Sequence, residues 1–317
     1  MIKNKLKTLR AKIVLTVVVL VTILLFIVYG PFPTVRETWV TSAMTTFSHQ
    51  WLATSFFSQK TIDTILEKNR IYPIDDKIDL SLIQITDKTE KTEVIDVSTK
   101  KFRAYLMIIP DPSKVELVFT EKLGGNGLKL ETFIKEKGAI GGINASGFKD
   151  ASGHTKGGHP AGLVLKNREI LSLDQMSSYY VVGLTEDCKL YVGEHSTLEE
   201  LYNLPAKEAI SFGPVLIING QPTLINGDGG WGISPRTSIG QTADGTILML
   251  VIDGRQISSL GATLNDVQKI MLDYGAINAS NLDGGSSSIM MMDRKVVNYP
   301  CTTKTGRYLP SAFLVYE

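Results

Sequence analysis

The chain is poor in cysteine and has no excess of charge of either sign. Its 317 residues include two cysteines, Cys188 and Cys301, and 33 Lys and Arg against 32 Asp and Glu. Two cysteines exclude a disulfide scaffold and a cysteine-based zinc site, and they leave open one disulfide or two separate thiols. The charge balance excludes a generic nucleic-acid binder, which normally carries a basic excess.

Acidic residues and glycine are both missing from the start of the chain. No Asp or Glu precedes Glu37, and of 28 glycines only Gly30 precedes residue 124. Residues 13–30 are an uncharged, apolar run that follows five cations. A helix of this length spans about 27 Å, close to the thickness of the hydrocarbon core of a bilayer. The pattern predicts a cytoplasmic basic tail at 1–12 and a transmembrane signal anchor at 13–30, with a cleaved signal peptide as the alternative.

The change in glycine content also predicts where the outer part of the chain is divided. Residues 31–79 have helical periodicity and are predicted to be a helical membrane-proximal segment. Its aromatic residues pack on the outer domain or contact lipid headgroups: Trp39, Phe47, Trp51, Phe56 and Phe57. Residues 80–317 are predicted to be one mixed α/β (α+β) domain of the catalytic type. Because the basic tail stays inside, this domain is expected outside the cell, on a single-pass plasma-membrane protein.

The outer domain mixes strand-like and helical patterns. Strands are predicted at 102–110, 114–120, 161–167, 178–185 and 215–220. Helices are predicted at 129–137, 196–203 and 264–274. The second helix has Ser196 as a candidate N-cap with Glu199 three residues later, and the third has Thr263 with Asp266. Gly275 is a suitable C-terminal stop for the third helix.

The most informative stretch, 246–288, has the pattern strand, loop, helix, strand, loop. Such a unit normally makes two parallel strands that end on the same sheet edge, where open α/β sheets bind ligands. Asp253 closes the first strand and Asp283 the second, so both carboxylates are expected at this edge. Each is followed by glycine, which lets the backbone turn and approach a ligand. For Asp253 alone an ordinary Asp-Gly turn is the more economical interpretation, whereas the run from Asp283 to Ser288 is hard to explain by packing.

Two further Gly-rich segments are candidates for the same site. The first, 138–148, passes through a short apolar strand that ends at Asn144 and continues to a loop with His159. The second, 227–241, begins beside Asp228 and leads to Arg236. An arginine offers a planar set of donors that suits carboxylate or phosphate, although an unpartnered surface arginine is an equally good interpretation.

Several familiar chemistries lack their motifs. The chain has no Gly-x-Ser-x-Gly elbow, no Walker-type loop and no His-Glu-x-x-His. His154 and His159 share one Gly-rich loop, for which a polar or substrate-binding role is favoured over a metal site. No cofactor is predicted with certainty, and a Ca²⁺ ion held by Asp and backbone oxygens stays open.

The motifs named above occur together with others in a recognisable order. They are Asn144–Phe148, Pro235–Gly240, Asp253–Arg255, Gly261–Leu264 and Asn281–Ser286. In this order they resemble the phosphodiester glycosidase family, which includes the lysosomal enzyme that uncovers mannose 6-phosphate and bacterial exopolysaccharide biosynthesis proteins. The resemblance covers about residues 100–317. It departs from the family at the first motif, where Asn144-Ala145-Ser146-Gly147-Phe148 is one residue longer than expected.

The resemblance implies an enzyme that hydrolyses a sugar-1-phosphodiester at the anomeric carbon. It implies Asp253 and Asp283 as the catalytic carboxylates, and Asp→Asn at either is expected to cut turnover at least about 100-fold. Phosphate is expected on a set of donors: Arg236, Thr237, Gly284, Gly285 and Ser286. Sugar hydroxyls are expected on four side chains: Asn144, Asn281, His159 and Asp228.

The implied substrate is a phosphorylated glycan or sugar-1-phosphodiester in envelope or exopolysaccharide polymers. The implied partners are that substrate and, through residues 13–30, the lipid bilayer, with no nucleic acid. The alternative function is a non-catalytic binder of phosphorylated polysaccharide in exopolysaccharide assembly. A membrane protein with an idle site is a third interpretation, and only release of reducing sugar separates the first from the other two.

Overall fold

A computed structural model describes the chain over residues 2–45, 49–74, 77–149 and 157–317, with side chains from Leu9 onward. Phe47 and His154, named above, lie outside the described residues. Seven α-helices form within these ranges: α1 (Ile2–Tyr29), α2 (Pro33–Met44), α3 (Trp51–Thr54), α4 (Gln59–Lys68), α5 (Leu130–Lys137), α6 (Leu198–Tyr202) and α7 (Leu264–Asp273). Short 3₁₀ turns lie at Leu80–Leu82, Pro112–Lys114 and Gly285–Ser287.

The strands are short and numerous. In chain order they are β1 (Ile71–Tyr72), β2 (Glu93–Asp96), β3 (Ala104–Ile109), β4 (Val115–Phe119), β5 (Gly125–Asn126), β6 (Gly141–Asn144), β7 (Gly157–Gly158), β8 (Leu163–Lys166), β9 (Glu169–Leu173), β10 (Tyr179–Thr185), β11 (Leu190–His195), β12 (Ala206–Ser211), β13 (Val215–Ile218), β14 (Gln221–Pro222), β15 (Leu224–Ile225), β16 (Arg236–Thr242), β17 (Ile247–Ile252), β18 (Ala276–Leu282), β19 (Met290–Met292), β20 (Lys295–Val296) and β21 (Ser311–Val315). The predicted strands and helices are all present, with ends that shift by at most two residues.

Three sheets surround one main core. The largest has the order β14-β13-β18-β16-β17-β3-β2, and two five-stranded sheets have the orders β20-β19-β6-β21-β4 and β11-β10-β12-β8-β9. Alternate residues of β17 point to opposite faces. Met249 packs in the core between the sheets, and Leu250 packs under α7. Because both faces of β17 are buried, its sequence is continuously apolar rather than alternating. The chain is therefore a mixed α/β fold.

Local sequence signals set the ends of the two predicted capped helices. Thr263 and Asp266 form the expected capping box on α7, and Gly275 follows that helix at φ +78°. The cap of α6 differs from the prediction, because Thr197 rather than Ser196 is the N-cap and Glu200 closes its capping box. Leu201 of this short helix is fully buried. The N-cap lies one residue later than expected.

Helix α1 contains a stretch, Leu9–Tyr29, that is long and apolar enough to cross a membrane. Its large apolar side chains are mostly exposed, so they are not used as protein core. After α1, helices α2 to α4 form a small cluster in which the Trp39 indole donates to Leu52 O and lies 5.9 Å from the Phe56 ring. These two aromatics thus pack within the helical segment.

The helical segment is also joined to the outer domain by specific contacts. Thr41 Oγ1 donates to Asp228 Oδ2 at 2.6 Å, and Asp228 N donates to Asn69 Oδ1 at 3.2 Å. Strand β1 pairs with β15, through Ile71 and Ile225. The helical segment is therefore held to the outer domain by hydrogen bonds at several points.

Candidate active site

Two strands that run in the same direction end at one edge of the seven-stranded sheet. β17 ends at Ile252 and β18 at Leu282, and β16 lies between them, antiparallel to both. β16 begins at this edge, with Arg236. Asp253 and Asp283, each the next residue after its strand, therefore leave the sheet at the same edge. This agrees with the predicted strand direction, although an antiparallel strand separates the two.

Asp283 opens a tight loop that contains the 3₁₀ turn Gly285–Ser287. The carboxyl group is half-buried. Burial raises the pKa of Asp283 to about 6, against the opposing effects of a hydrogen bond from Ser287, the charge of Arg307 and the Gly284 N–H. A carboxyl group with this pKa changes its protonation state near neutral pH, as acid–base or nucleophilic chemistry requires.

Arg307 reaches this loop from a distant part of the chain. Its Nη1 donates to Ser286 Oγ at 2.9 Å, and its Cζ lies 4.4 Å from the centre of the Phe148 ring. It also lowers the pKa of Asp283. Sequence reasoning missed Arg307. Its only local signal is the polar, Gly-containing run around Gly306, which has φ +67°.

Asp253 has a different environment from that of Asp283. It is 1% exposed. Its Oδ1 accepts hydrogen bonds from Asn298 Nδ2 and Tyr299 N, both at 2.9 Å. Burial raises its pKa, opposed by these hydrogen bonds and by the charge of Arg103. Since Asn298 Nδ2 also bonds Ser288 O, Asp253 ties the 298–299 segment to the end of the Asp283 loop.

Arg236 lies within the protein rather than free at the edge. It is 3% exposed, and its guanidinium donates from Nε to Ala262 O at 3.0 Å and from Nη2 to Trp231 O and Gly232 O at 2.9 and 2.7 Å. Burial lowers its pKa to about 10, with the charge of Asp228 opposing the shift. Nε of Arg236 thus holds Ala262, the residue before the N-cap of α7, and Nη2 holds the 231–232 loop.

Three predicted polar residues form buried links behind the Asp283 loop. Thr237 Oγ1 donates to Asn144 Oδ1 at 2.9 Å, and Asn144 Nδ2 donates to Asp283 O at 2.5 Å. Asn281 Nδ2 donates to Gly213 O at 2.8 Å. All three side chains are at most 1% exposed. They hold the backbone of the site in place and present little surface to a ligand.

The other two predicted sugar-binding residues lie elsewhere. The exposed His159 lies beside Gly124, where a Cβ would be 3.2 Å from its Nδ1. Asp228 is bound by Thr41 on α2 and by Gly230 N. The structure does not bring either side chain into contact with Asp283.

The Gly-rich turn after Asp283 is packed closely between neighbours. Gly285 has φ +59°, and its N–H donates to Pro235 O at 2.8 Å. A Cβ on Gly284 would lie 2.7 Å from the same oxygen, and a Cβ on Gly285 would lie 3.3 Å from Arg255 Nη2. Arg255 is exposed, and the hydrogen bonds and ion pairs between described residues do not include its guanidinium. Arg255 and Arg307 therefore both place positive charge beside the turn.

Metal-binding groups are sparse across the part of the chain that the structure describes. Within it, no three His, Cys, Asp or Glu side chains come together as a metal site would require. Cys188 and Cys301 are separate free thiols, and Cys301 Sγ lies 3.7 Å from Gly285 O. The chemistry available at the edge is thus a carboxyl group of raised pKa, two guanidinium groups and the donors of a serine-rich turn.

Comparison with known proteins gives two kinds of similarity. Over 180 residues, 53% of this chain, it is 29% identical to the SPbeta prophage-derived protein YomE of Bacillus subtilis. Over 68 residues, 22% of the chain, it is 34% identical to the N-acetylglucosamine-1-phosphodiester alpha-N-acetylglucosaminidase of Bos taurus. The matched parts span 26% and 13% of these two relatives.

A solved structure extends the likeness to most of the outer domain. The catalytic domain of the zebrafish N-acetylglucosamine-1-phosphodiester alpha-N-acetylglucosaminidase, auto-inhibited by its pro-peptide, superposes with a TM-score of 0.61 at 19% identity. The superposition covers 74% of this chain and 87% of that domain. A family model described as phosphodiester glycosidase matches residues 137–316, more than half of the chain and all of the edge built from Asp253, Asp283 and Arg307. The chain belongs to the phosphodiester glycosidase family.

Proposed function

We propose that this protein is a hydrolase that cleaves the bond between C1 of a sugar and the phosphate oxygen of a phosphodiester. The observation that carries the proposal is the Asp283 carboxyl, with its pKa raised to about 6, on the same turn as the Ser286 hydroxyl that binds Arg307. A carboxylate and a cation beside one turn can serve the two ends of the bond that breaks. Family membership supports the same reaction.

Asp283 is assigned the sugar side of the reaction. Cleavage of the C1–O bond generates an oxocarbenium-like transition state, which a nearby carboxylate stabilises. Water supplies the oxygen that bonds to C1 and gives up a proton to the ionised Asp283 carboxylate, and the electron pair of the broken bond leaves with the phosphate. The ionised form of Asp283 is the active one, since the transition state carries positive charge at C1.

Arg307, Ser286 and the backbone of Gly284 and Gly285 are assigned the phosphate side. A phosphate monoester is a good leaving group, so it needs neutralisation of its charge more than a proton. A guanidinium fork and aligned donors provide this neutralisation. Arg255 adds a second positive charge across Gly285. Asp253 and Asn144 act as positioning residues, because both are buried and bonded to the backbone of the site.

The proposal also places the protein at a membrane. The apolar run of α1, residues 13–29, is mostly exposed, and five basic residues precede this run. An orientation with the basic tail inside puts the outer domain outside the plasma membrane, where phosphorylated glycans of the envelope or exopolysaccharide are the expected substrates. The helical segment at 31–79 then holds the site near the membrane surface.

The test is release of reducing sugar by the full-length protein in phosphatidylcholine nanodiscs. The probes are glucose and N-acetylglucosamine 1-(methyl phosphate) diesters, and the matched control is Asp283→Asn. The expected result is release of free sugar and methyl phosphate by the wild type, with at least about 100-fold less by the variant. Tight binding of phosphorylated wall polymer by both proteins, with no sugar released by either, would favour the non-catalytic binder instead.

A further inference from the structure

A second feature near the proposed site is a largely apolar groove between α2 and the outer domain. Its volume is about 710 Å³, within the range of small-molecule sites. One face of α2 forms one wall, with Val35 and Trp39, and Ile233 and Arg255 form the opposite wall. Val35 is 45% exposed and Ile233 is 37% exposed, so apolar side chains face solvent along it.

One end of the groove lies close to the apolar helix. Helix α2 begins at Pro33, four residues after α1 ends at Tyr29. Val35 is in the first turn of α2, six positions along the chain from Tyr29 at the end of α1. A molecule that is embedded in the same membrane leaflet would reach the groove without crossing the protein.

Arg255 connects the groove to the proposed phosphate site. It lines the groove, and its Nη2 would lie 3.3 Å from a Cβ on Gly285, in the turn that follows Asp283. A two-residue hairpin fixes its backbone, with Arg255 N donating to Leu260 O at 3.1 Å and Gln256 N to Ser259 O at 3.0 Å. The guanidinium group of Arg255 thus lies next to Gly285, and Arg255 also lines the apolar groove.

The surface around this hairpin is unusually apolar for a position outside the core. Ile257, at the tip of the hairpin, is fully exposed, and Leu260 is 64% exposed. On the side of the apolar helix, Phe32 is 42% exposed. Exposed apolar groups mark interaction surfaces, and beside an apolar membrane-type helix they suit contact with lipid.

We propose that the groove binds the hydrocarbon chain of a membrane lipid, and that the substrate is a sugar joined through C1 and a phosphodiester to that lipid. This inference rests on the proposed function and narrows it to lipid-carried glycan phosphodiesters. Water attacks C1 and gives up a proton to the Asp283 carboxylate, the C1–O bond breaks, and the electron pair leaves with the lipid monophosphate. The lipid chain stays along α2, the phosphate lies between Arg255 and Arg307, and the sugar lies at Asp283.

The experiment compares two substrates that differ only in the ester group on phosphate. Full-length protein in phosphatidylcholine nanodiscs receives a sugar 1-(methyl phosphate) or a sugar 1-(hexadecyl phosphate) diester. The readout is the ratio of kcat/KM for the hexadecyl to the methyl substrate. Val35→Asp and Ile233→Asp are each expected to lower this ratio at least about 10-fold, the equivalent of about two buried methylene groups. Leu198→Asp, on an equally exposed leucine of α6, is the matched control and leaves the ratio unchanged.

The outcomes separate this inference from the proposed function. Hydrolysis of the methyl substrate with a ratio that neither groove variant changes would overturn the groove assignment and leave the glycosidase intact. If neither substrate is hydrolysed, a photoreactive hexadecyl phosphate decides: mapped labelling of α2 and of the 233–255 region, lost in Val35→Asp, supports the groove. Labelling spread over the apolar helix alone would overturn it.

Discussion

Two Asp-Gly pairs at one sheet edge have opposite surroundings. Asp253 is 1% exposed and accepts from Asn298 and Tyr299, whereas Asp283 is half-buried beside Ser287 and Arg307. Both follow apolar strands that run in the same direction. Strand order places a carboxylate at the sheet edge, and the hydrogen-bond partners and charges around that carboxylate determine its role.

Burial raises the pKa of both carboxyl groups, but the consequence differs. The oxygens of Asp253 are occupied by donors from the protein, so its ionised form holds loops together. Asp283 lies at the start of a glycine turn, with Arg307 and Arg255 beside that turn. We therefore assign the chemistry to Asp283 and the positioning of the 298–299 segment to Asp253.

Asp283→Asn is expected to have the largest effect on activity of the substitutions that distinguish Asp283 from Asp253. Loss of the ionisable group should lower kcat at least about 100-fold, because no other carboxyl lies on this turn to replace it. The melting temperature at neutral pH should not fall, because the amide has the same shape and carries no buried charge. Kinetics by sugar release and calorimetry on the same sample check both, and a variant with near-normal kcat would remove Asp283 from the reaction.

Asp253→Ala tests the positioning role. It leaves Tyr299 N and Asn298 Nδ2 without their acceptor, so the free energy of unfolding is expected to fall by about 2–3 kcal/mol. Urea unfolding of the full chain measures this change. Asp253→Asn, which retains one acceptor oxygen, is the milder control. It should lose less stability than Asp253→Ala, and it should lose less activity than Asp283→Asn. The reverse order of activities would return Asp253 to the chemistry.

Arg307→Lys probes the cation that distinguishes the two sites. Lysine retains the charge but not the planar fork that contacts Ser286 and stacks on Phe148, so kcat/KM is expected to fall about 10-fold. Arg103→Lys, beside Tyr299 at the Asp253 side, is the matched control. Equal losses in the two variants would mean that the guanidinium fork of Arg307 has no specific role at the site.

The pH dependence gives the smallest but most specific difference. With the pKa of Asp283 raised to about 6 and its ionised form active, kcat/KM should rise with pH through about 6 and then level off. In the native state the proton is held more tightly than in the unfolded chain, whose pKa is near 3.8, so this group's contribution to stability is lost as pH rises from about 4 to about 6. Melting curves of wild type and Asp283→Asn over this window check the sign, and identical slopes would contradict it.

Local signals in the sequence were sufficient to predict the strands and the helix that position the site. The apolar run of β17, the capping pair Thr263 and Asp266 and the stop at Gly275 each depend on neighbours within a few residues. The spacing of the strand–helix–strand unit then placed Asp253 and Asp283 on one edge. The separate cysteines agree with one of the two alternatives left open.

Long-range partners could not be predicted in the same way. Arg236 is bonded to the carbonyls of Trp231, Gly232 and Ala262, and nothing in its own motif indicates those carbonyls. Asp228 bonds Thr41, 187 positions away. Arg307 reaches Ser286 only because the chain returns after β20. Hydrogen-bond partners of buried polar groups are set by the packed fold, which a pattern of residue types does not contain.

Hydrolysis in water enriched in ¹⁸O most directly tests whether the bond at C1 breaks. The full-length protein acts on a sugar 1-(methyl phosphate) diester, and the methyl phosphate product is weighed by mass spectrometry. Attack at C1 leaves the phosphate without ¹⁸O, and Asp283→Asn abolishes the product. Methyl phosphate that carries one ¹⁸O atom would mean attack at phosphorus and would contradict a glycosidase reaction at this edge.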